Sequence, residues 1–303
     1  MDATETDELW QQVAARINSA RGWSLRPLAR LGLPRAVRRT WIAEGAGTDG
    51  PGAVVVKATA NPFAASRAAW VASALSLLGD RGYPVPTLLW QGPLDEHWHL
   101  TVQERLPGQP LRTLDEPMLD ALLALVELQA GQASLLGEAG WDLSWWTEVV
   151  LFDGWEGWWD SADAAAPATS RRLREFLEPA RGHRLPSGDL VHGDLGLANV
   201  LVADGVITGI VDWDDLGVGC RATDLAGPLF EWHRLRLEGE RAPAPDGDAR
   251  LVSRIVEIAG EPGLRLVVAY LGVACLGLAA QRNELEALDT WGRTIDVLLD
   301  TLQ

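Results

Sequence analysis

Three oxygen-bearing side chains in the second half of the chain have the types and spacing that phosphoryl transfer requires. Asp194 follows His192 and Gly193, Asn199 comes five residues later, and Asp212 ends an apolar run after a predicted hairpin. Phosphoryl transfer needs a carboxylate that orients the acceptor hydroxyl and oxygen ligands for Mg²⁺ at the nucleotide phosphates. The sequence therefore predicts Asp194 as the catalytic base and Asn199 and Asp212 as magnesium ligands.

The order of these residues is that of the protein-kinase catalytic loop and the metal-binding aspartate that follows it. Gly193 stands in the place of Arg, and Trp213 in the place of Phe. Over the segment LVHGDLGLANVLVADGVITGIVDWDD, residues 190–215, the chain resembles the aminoglycoside phosphotransferase and choline kinase family of small-molecule kinases. Asp224, in a D-L-A segment, extends the resemblance, and the run VDWDDLGVG is closest to the viomycin-type antibiotic phosphotransferases.

This resemblance implies an α+β fold of two lobes, like that of the protein kinases. Residues 1–104 would form a nucleotide-binding lobe with an antiparallel sheet and a helix, and residues 105–303 a mostly helical catalytic and substrate-binding lobe. The implied activity is ATP- or GTP- and Mg²⁺-dependent phosphorylation of a small-molecule hydroxyl, with an antibiotic as the first choice of acceptor. His192 and Asp224 would brace the catalytic loop.

Two other functions stay open at this point. One is a metabolic kinase of a sugar, an amino sugar or a choline-like amine. The other is a catalytically silent, kinase-like protein that binds a nucleotide. A departure from the kinase pattern supports the second: active kinases carry a Glu on the helix after the third strand, and the predicted helix at 63–79 contains no Asp or Glu.

Two segments of the first lobe are candidates for nucleotide binding. Lys57 lies in the apolar run AVVVKA, where an unpartnered buried charge is costly, and kinases use a lysine on this strand to bind nucleotide phosphates. The run 104–108 resembles the hinge of the family. The resemblance implies that Gln103, Glu104 and Leu106 hold the nucleotide base.

The elements that must position these residues follow from hydrophobic periodicity and turn signals. A helix is predicted at 7–20. Three strands are predicted at 23–28, 36–44 and 53–58, with turns at 30–35 and 45–52 between them. After the helix at 63–79 come a strand at 98–104, helices at 116–129 and 170–177, the catalytic segment, and two or three further helices.

A tryptophan-rich segment between the predicted hinge and the catalytic loop is a candidate acceptor site. Six of the 15 Trp residues fall within residues 141–159, interleaved with carboxylates. Mixed rings and carboxylates suit a ligand with ring faces and ammonium groups, but the same rings at helical spacing also suit a packed core. The candidate acceptor contacts are Asp214, Trp155, Glu156, Trp159, Glu231 and His233.

The composition of the chain limits which binding partners and which cellular compartment are expected. A net charge of −16 disfavours nucleic acid as a partner, because its phosphates need Lys and Arg. Two distant cysteines without a metal-binding pattern, and a polar N-terminus, favour a cytoplasmic protein. The most apolar stretch, 264–280, is short for a membrane span and is expected to be a buried helix. The predicted partners are therefore a nucleotide and a small molecule.

Overall fold

Apolar side chains at alternate positions of the strand β3 (Gly52–Ala60) turn one face of an antiparallel sheet towards a core. Val54, Val56 and Ala58 on that face are fully buried.

The computed structural model describes residues 3–35, 38–46, 52–60, 64–137, 140–154, 157–239 and 244–302. The chain divides into two compact units, Met1–Pro107 and Gly108–Gln303.

The first unit contains a five-stranded antiparallel sheet in the order β1-β2-β3-β5-β4. Its other strands are β1 (Ser24–Arg35), β2 (Arg38–Ala46), β4 (Leu88–Pro93) and β5 (Trp98–Glu104). The helix α1 (Ala3–Arg21) precedes the sheet, and α2 (Ala64–Gly79) lies between β3 and β4. The apolar face of α1 packs on the sheet, where the rings of Trp10 and Trp41 are 5.4 Å apart. The predicted sheet and helix are thereby confirmed.

The turn predicted at 30–35 is wrong, because β1 continues through it. Arg30 pairs with Trp41, Leu31 with Thr40, and the pairing resumes at Arg35 opposite Arg38. Between Leu31 and Arg35 the register shifts, so Gly32 and Pro34 lie in an irregular part of the strand. Gly and Pro within a strand can mark such a bulge as well as a turn.

The second unit is mostly helical. Its helices are α3 (Glu116–Glu127), α4 (Leu143–Phe152), α5 (Trp158–Ala165), α6 (Pro167–Leu177), α7 (Ala222–Glu238), α8 (Gly247–Gln281) and α9 (Leu285–Thr301). Two small sheets accompany them: β7 (Asp189–Val191) pairs with β10 (Gly217–Gly219), and β8 (Val200–Ala203) pairs with both β6 (Gln109–Pro110) and β9 (Val206–Ile210).

Local sequence signals explain where α3 begins and which face it buries. The side chain of Asp115 accepts a hydrogen bond of 3.1 Å from the backbone N–H of Met118, and Pro117 occupies the first turn. Leu119, Leu122 and Val126, at helical spacing, are fully buried. An N-cap of this kind stabilises a helix by about 1 kcal/mol.

The helix α8 contains the apolar stretch expected to be buried. By length and composition alone it could cross a membrane, with a mean hydropathy of 1.9 over its most apolar window, but 67% of that window is buried inside the protein. Its path is broken at Gly260, which has non-helical dihedral angles, and Pro262 follows. Pro removes a helical hydrogen bond, so the two residues account for the break.

Candidate active site

A short hairpin brings the three predicted phosphoryl-transfer residues side by side. Asp194 lies in the loop after β7, and Asn199 ends a single 3₁₀ turn before β8. The two-residue turn Asp204–Gly205 has positive φ at both positions and returns the chain along β9. The backbone N–H of Val211 then donates to the carbonyl of Asn199 at 2.9 Å, which places Asp212 next to the loop.

The carboxylate of Asp224, near the start of α7, binds backbone amides of the loop that carries Asp194. It is 1% exposed and accepts backbone N–H bonds from His192 at 2.7 Å and from Gly193 at 2.9 Å. The side-chain amide of Gln129, after α3, donates to the same carboxylate at 2.8 Å. Burial raises the pKa of Asp224, and these three donors act against that rise. The loop is therefore tied to a buried acceptor.

His192 is fully buried and is bonded through both ring nitrogens. Nδ1 faces the backbone N–H of Asp194 at 3.2 Å, so Nδ1 must be an acceptor. Nε2 faces the carbonyl of Val211 at 2.9 Å, so Nε2 must carry the proton. Both bonds form together only in the neutral Nε2–H tautomer. The ring also packs on that of Trp213, with 4.5 Å between the two ring centroids. His192 therefore braces the loop, as the resemblance implied.

Gly193 stands where the protein kinases have Arg, and the backbone explains the difference. Its φ is +84°, a region that favours glycine. A Cβ atom at this position would lie 2.6 Å from the carbonyl oxygen of Asp215, closer than real Cβ contacts. The loop and the turn after Asp212 can approach this closely only because residue 193 has no side chain.

Asp194 lies on this loop beside Asn199. The amide nitrogen of Asn199 donates to the backbone carbonyl of Asp194 at 2.8 Å and lies 3.5 Å from its carboxylate. Asp194 is exposed, but the protein around its carboxylate raises its pKa to about 6 by desolvation. His192 acts against this rise, and the negative charges of Asp215 and Asp212 add to it. A carboxyl group in this range suits proton transfer near neutral pH, and a nearby cation would counter the rise.

The oxygen donors around Asp212 fit a magnesium ion. Because the amide nitrogen of Asn199 is bonded to the loop, its side-chain oxygen is the atom that can ligate a cation. Asp212 is exposed and has a φ of +65°, which is uncommon for a residue other than glycine. In the described ranges no group of three or more His, Cys, Asp or Glu is arranged for a metal. Mg²⁺ commonly takes one or two carboxylates, with phosphates and water completing its shell.

The predicted nucleotide-binding residues belong to the first unit. Lys57 pairs in register with Thr40 and Thr101 and is 7% exposed, on the face of β3 opposite Val56 and Ala58. The sequence of α2 holds no Asp or Glu, so the departure from the kinase pattern remains. Around the predicted hinge, Gln103 is partly buried in β5 and Leu106 follows the strand, also partly buried.

Glu104, the last residue of β5, bonds within the first unit through backbone and side chain. Its backbone N–H donates to the carbonyl of Thr87 at 2.9 Å. The hydroxyl of Thr87 donates to its carboxylate at 3.0 Å. The end of β5, which leads into the predicted hinge, is thereby fixed to the segment before β4.

Of the predicted acceptor contacts, Glu231 lies in the same cavity as Asp194. Asp214 is partly buried in the 3₁₀ turn that follows Asp212. Trp155 and Glu156 lie outside the described residues, so their predicted role stays a prediction.

The other two predicted acceptor contacts, Trp159 and His233, are buried. Trp159 is 5% exposed, its indole N–H donates to the carbonyl of Leu151 at 3.2 Å, and the guanidinium of Arg174 covers its ring at 4.0 Å. His233 is 2% exposed against Trp232. Both rings therefore pack against neighbouring groups, and their predicted acceptor role stays a prediction.

Sequence reasoning missed three residues near the site. Gln129 bonds Asp224, and its signal is a polar side chain on the apolar face at the end of a predicted helix. Tyr270 and Trp291, on α8 and α9, line the cavity beside Asp194. A hydroxyl-bearing ring within the apolar run of α8 could have indicated Tyr270, but Trp291 has no comparable signal in the sequence.

Solved structures of similar fold are found by comparison. A thermostable mutant of aminoglycoside phosphotransferase APH(4)-Ia in its apo form has a TM-score of 0.68 at 18% identity, covering 95% of this chain and 98% of that one. Its ternary complex with ADP and hygromycin B has a TM-score of 0.66 at 18% identity and the same coverage. Macrolide 2′-phosphotransferase MphH from Brachybacterium faecium has a TM-score of 0.54 at 20% identity, covering 92% of this chain and 95% of that one. The predicted kinase-like fold is confirmed.

Sequence comparison identifies the family. Curated protein sequences give no match. A model of the family described as "APH: Phosphotransferase enzyme family" matches residues 35–253, which is more than half of the chain and includes the whole catalytic segment. The predicted resemblance and the predicted class of enzyme are both confirmed: the chain belongs to the phosphotransferase enzyme family.

Proposed function

We propose that this phosphotransferase uses ATP or GTP with Mg²⁺ to phosphorylate a hydroxyl of a small molecule, and that the molecule is an antibiotic. The observation that supports this most strongly is that Asp194 and Asn199 follow closely on the amides held by Asp224, with Asp212 next to their loop. Two solved structures of similar fold contain hygromycin B with a nucleotide, ADP in one and AMP-PNP in the other. A third relative in fold acts on macrolides.

In the proposed step, the acceptor oxygen forms a bond to the γ-phosphorus. The bond between that phosphorus and the β-phosphate oxygen breaks, and its electron pair leaves with the nucleoside diphosphate. Asp194 orients the acceptor hydroxyl and takes its proton. Positioning supplies much of the rate in such reactions, which explains why the loop is so firmly braced.

The remaining roles concern the nucleotide. Asn199 and Asp212 would hold Mg²⁺, which neutralises charge on the phosphates when bound. Lys57 would bind the α and β phosphates, and the segment of Gln103, Glu104 and Leu106 would hold the base.

The catalytic and metal roles are tested by single amide substitutions. Asp194→Asn should lower kcat by roughly a hundredfold to ten-thousandfold, because the proton acceptor is lost while the shape is kept. Asp212→Asn should weaken Mg²⁺-dependent nucleotide binding, measured by titration calorimetry with and without Mg²⁺.

Asp204→Asn is the matched control, because Asp204 is also exposed and has a φ of +51°. It should leave both measurements unchanged. An Asp194→Asn variant with the kcat of the wild type would rule out the catalytic role. Unchanged Mg²⁺-dependent binding by Asp212→Asn would rule out the metal role.

One observation favours a second candidate, a catalytically silent nucleotide-binding protein: α2 carries no acidic residue. Nucleotide binding with no acceptor-dependent release of nucleoside diphosphate, across antibiotics, sugars, amino sugars and choline-like amines, would support that candidate. Turnover with sugars or amines only would indicate a metabolic kinase. Antibiotic susceptibility of a host that expresses the protein separates the antibiotic kinase from both.

A further inference from the structure

A small cavity opens beside the proposed catalytic base, within the second unit. Asp194 and its neighbours on the loop form one wall, and residues of α7, α8 and α9 form the others, among them Phe230, Glu231, Tyr270 and Trp291. Its volume is about 140 Å³. A cavity of roughly 150 Å³ accommodates a benzene ring. The space therefore fits one ring of an acceptor.

Two carboxylates, Asp194 and Glu231, are the charged groups among the described residues that line the cavity. One oxygen of Glu231, Oε2, is already engaged: Arg234, one turn later on α7, bonds it through Nη2 at 2.5 Å and Nε at 2.8 Å. The same guanidinium also pairs with Glu238. Burial raises the pKa of the Cys275 thiol to about 12, so this lining residue adds no charge. Of the two lining carboxylates, Glu231 thus has a guanidinium partner, whereas Asp194 forms no ion pair with an Arg or Lys among the described residues.

Aromatic rings supply the rest of the recognition surface. Phe230 is 1% exposed, so its ring is a fixed part of the wall, and Tyr270 and Trp291 are partly exposed. Ring faces bind sugar or aromatic rings by stacking and apolar contact, and they require no charge on the ligand. Several ammonium groups would instead need several carboxylates free to pair with them, because an unpaired charge loses hydration on burial.

We propose that the acceptor places a single ring with at most one positive charge in this cavity, its hydroxyl towards Asp194, and that polycationic aminoglycosides are poor acceptors. This inference rests on the proposed function and adds the chemical class of the substrate. It also replaces the predicted ammonium recognition by interleaved Trp and carboxylates with recognition by rings on α7, α8 and α9.

Three hydroxylated probes of different charge test the inference. They are phenyl β-D-glucoside, which is neutral, erythromycin, which has one amine, and hygromycin B, which has several. With full-length protein, ATP and Mg²⁺, kcat/KM for the better of the first two should exceed that for hygromycin B by roughly tenfold or more. A value for hygromycin B equal to or above both would overturn the inference.

Binding of the same probes, measured by titration calorimetry, separates this inference from the proposed function. If no probe is phosphorylated, the proposed antibiotic kinase loses support, but the order of the affinities still decides the charge preference. Tighter binding of phenyl β-D-glucoside or erythromycin than of hygromycin B supports the inference. Tighter binding of hygromycin B, or no binding of any probe, contradicts it.

A variant that releases the charge of Glu231 gives an independent test. In Arg234→Gln, the ratio of kcat/KM for hygromycin B to kcat/KM for phenyl β-D-glucoside should rise by roughly fivefold. The reason is that one carboxylate becomes free to pair with an ammonium group. The control is Arg171→Gln, which removes an exposed ion pair with Glu175 and should leave the ranking unchanged. An unchanged ranking in Arg234→Gln would show that compensation by Arg234 does not set the preference.

Discussion

The ring of His192 illustrates how single residues shape this site. A histidine before the proposed catalytic aspartate could suggest an acid–base role, but both ring nitrogens are occupied by the backbone N–H of Asp194 and the carbonyl of Val211. Both ring nitrogens of His192 are thus used to hold the loop. Asp212 shows the converse: it has an uncommon positive φ, which costs energy and persists where the surroundings impose it.

A second buried imidazole, His233, predicts how stability depends on pH. Burial lowers its pKa from 6.5 to about 4, and its Nε2 has no hydrogen-bond partner among the described residues. The nearby charges of Asp248 and Arg236 act in opposite directions and do not restore the pKa. Between those pH values the unfolded chain binds a proton that the folded protein does not, so stability is full above pH 6.5 and falls towards pH 4.

We expect this loss to amount to about 3 kcal/mol of the free energy of unfolding. His233→Leu should remove the difference in stability between pH 7 and pH 4.5 that comes from this group, because leucine does not titrate. Urea unfolding at both pH values measures it. A variant that loses as much stability on acidification as the wild type would show that His233 is not the group responsible.

At the scale of elements, the packing of α7 against the catalytic loop depends on Gly227. A Cβ atom at this position would lie 2.3 Å from the carbonyl oxygen of Leu195, next to Asp194. Gly227→Ala should therefore displace the loop and lower kcat by roughly a hundredfold, because small errors in position are costly in catalysis. Steady-state kinetics and urea unfolding together check the prediction.

Gly292→Ala is the matched control for this helix contact. Gly292 lies within α9, and the nearest atom to its added Cβ would be the Thr169 hydroxyl at 4.0 Å, an ordinary contact. Alanine there should raise the free energy of unfolding by up to about 1 kcal/mol and leave kcat unchanged. Equal kinetics of the two alanine variants would show that Gly227 does not set the position of the loop.

Elements with strong local signals were predicted well. β5 has the predicted bounds, Trp98–Glu104, and the helix predicted at 63–79 is α2, Ala64–Gly79. In each of these segments the apolar residues recur with the period of a strand or of a helix, but not of both. β1 was predicted too short, because a Gly and a Pro indicate a turn equally well when the partner strand is unknown.

At the scale of the whole molecule, an ion-pair network joins four elements of the second unit. Glu127 at the end of α3 bonds Arg254 of α8 at 2.5 Å and Arg221, just before α7, at 3.3 Å. Arg221 in turn bonds Asp189 of β7 at 3.2 Å. Burial acts to raise the pKa of Glu127, but the bonds from Arg254 and Arg221 outweigh it and lower the pKa.

This network predicts a second loss of stability in acid. Because the pKa of Glu127 is lowered in the folded protein, its contribution is present above the ordinary value of 4.5 and is lost as the pH falls below it. Glu127→Gln should reduce the free energy of unfolding by about 1 kcal/mol at pH 7, since the pair is partly exposed, and less in high salt. A variant as stable as the wild type at pH 7 and low salt would show that the network contributes nothing.

The sequence alone indicated the family, the sheet and helices of the first unit, and the spacing of the polar residues in the proposed catalytic segment. Those positions lie within residues 189–224, where one hairpin and one helix start fix their spacing. Only the tertiary structure decided the acceptor side of the site. Most residues of α7 are buried, so no single apolar face stands out, and periodicity could not show that Glu231 faces the cavity while His233 is buried. Tyr270 and Trp291 line the same cavity as Asp194 although they are far from it in sequence, which a local pattern cannot encode.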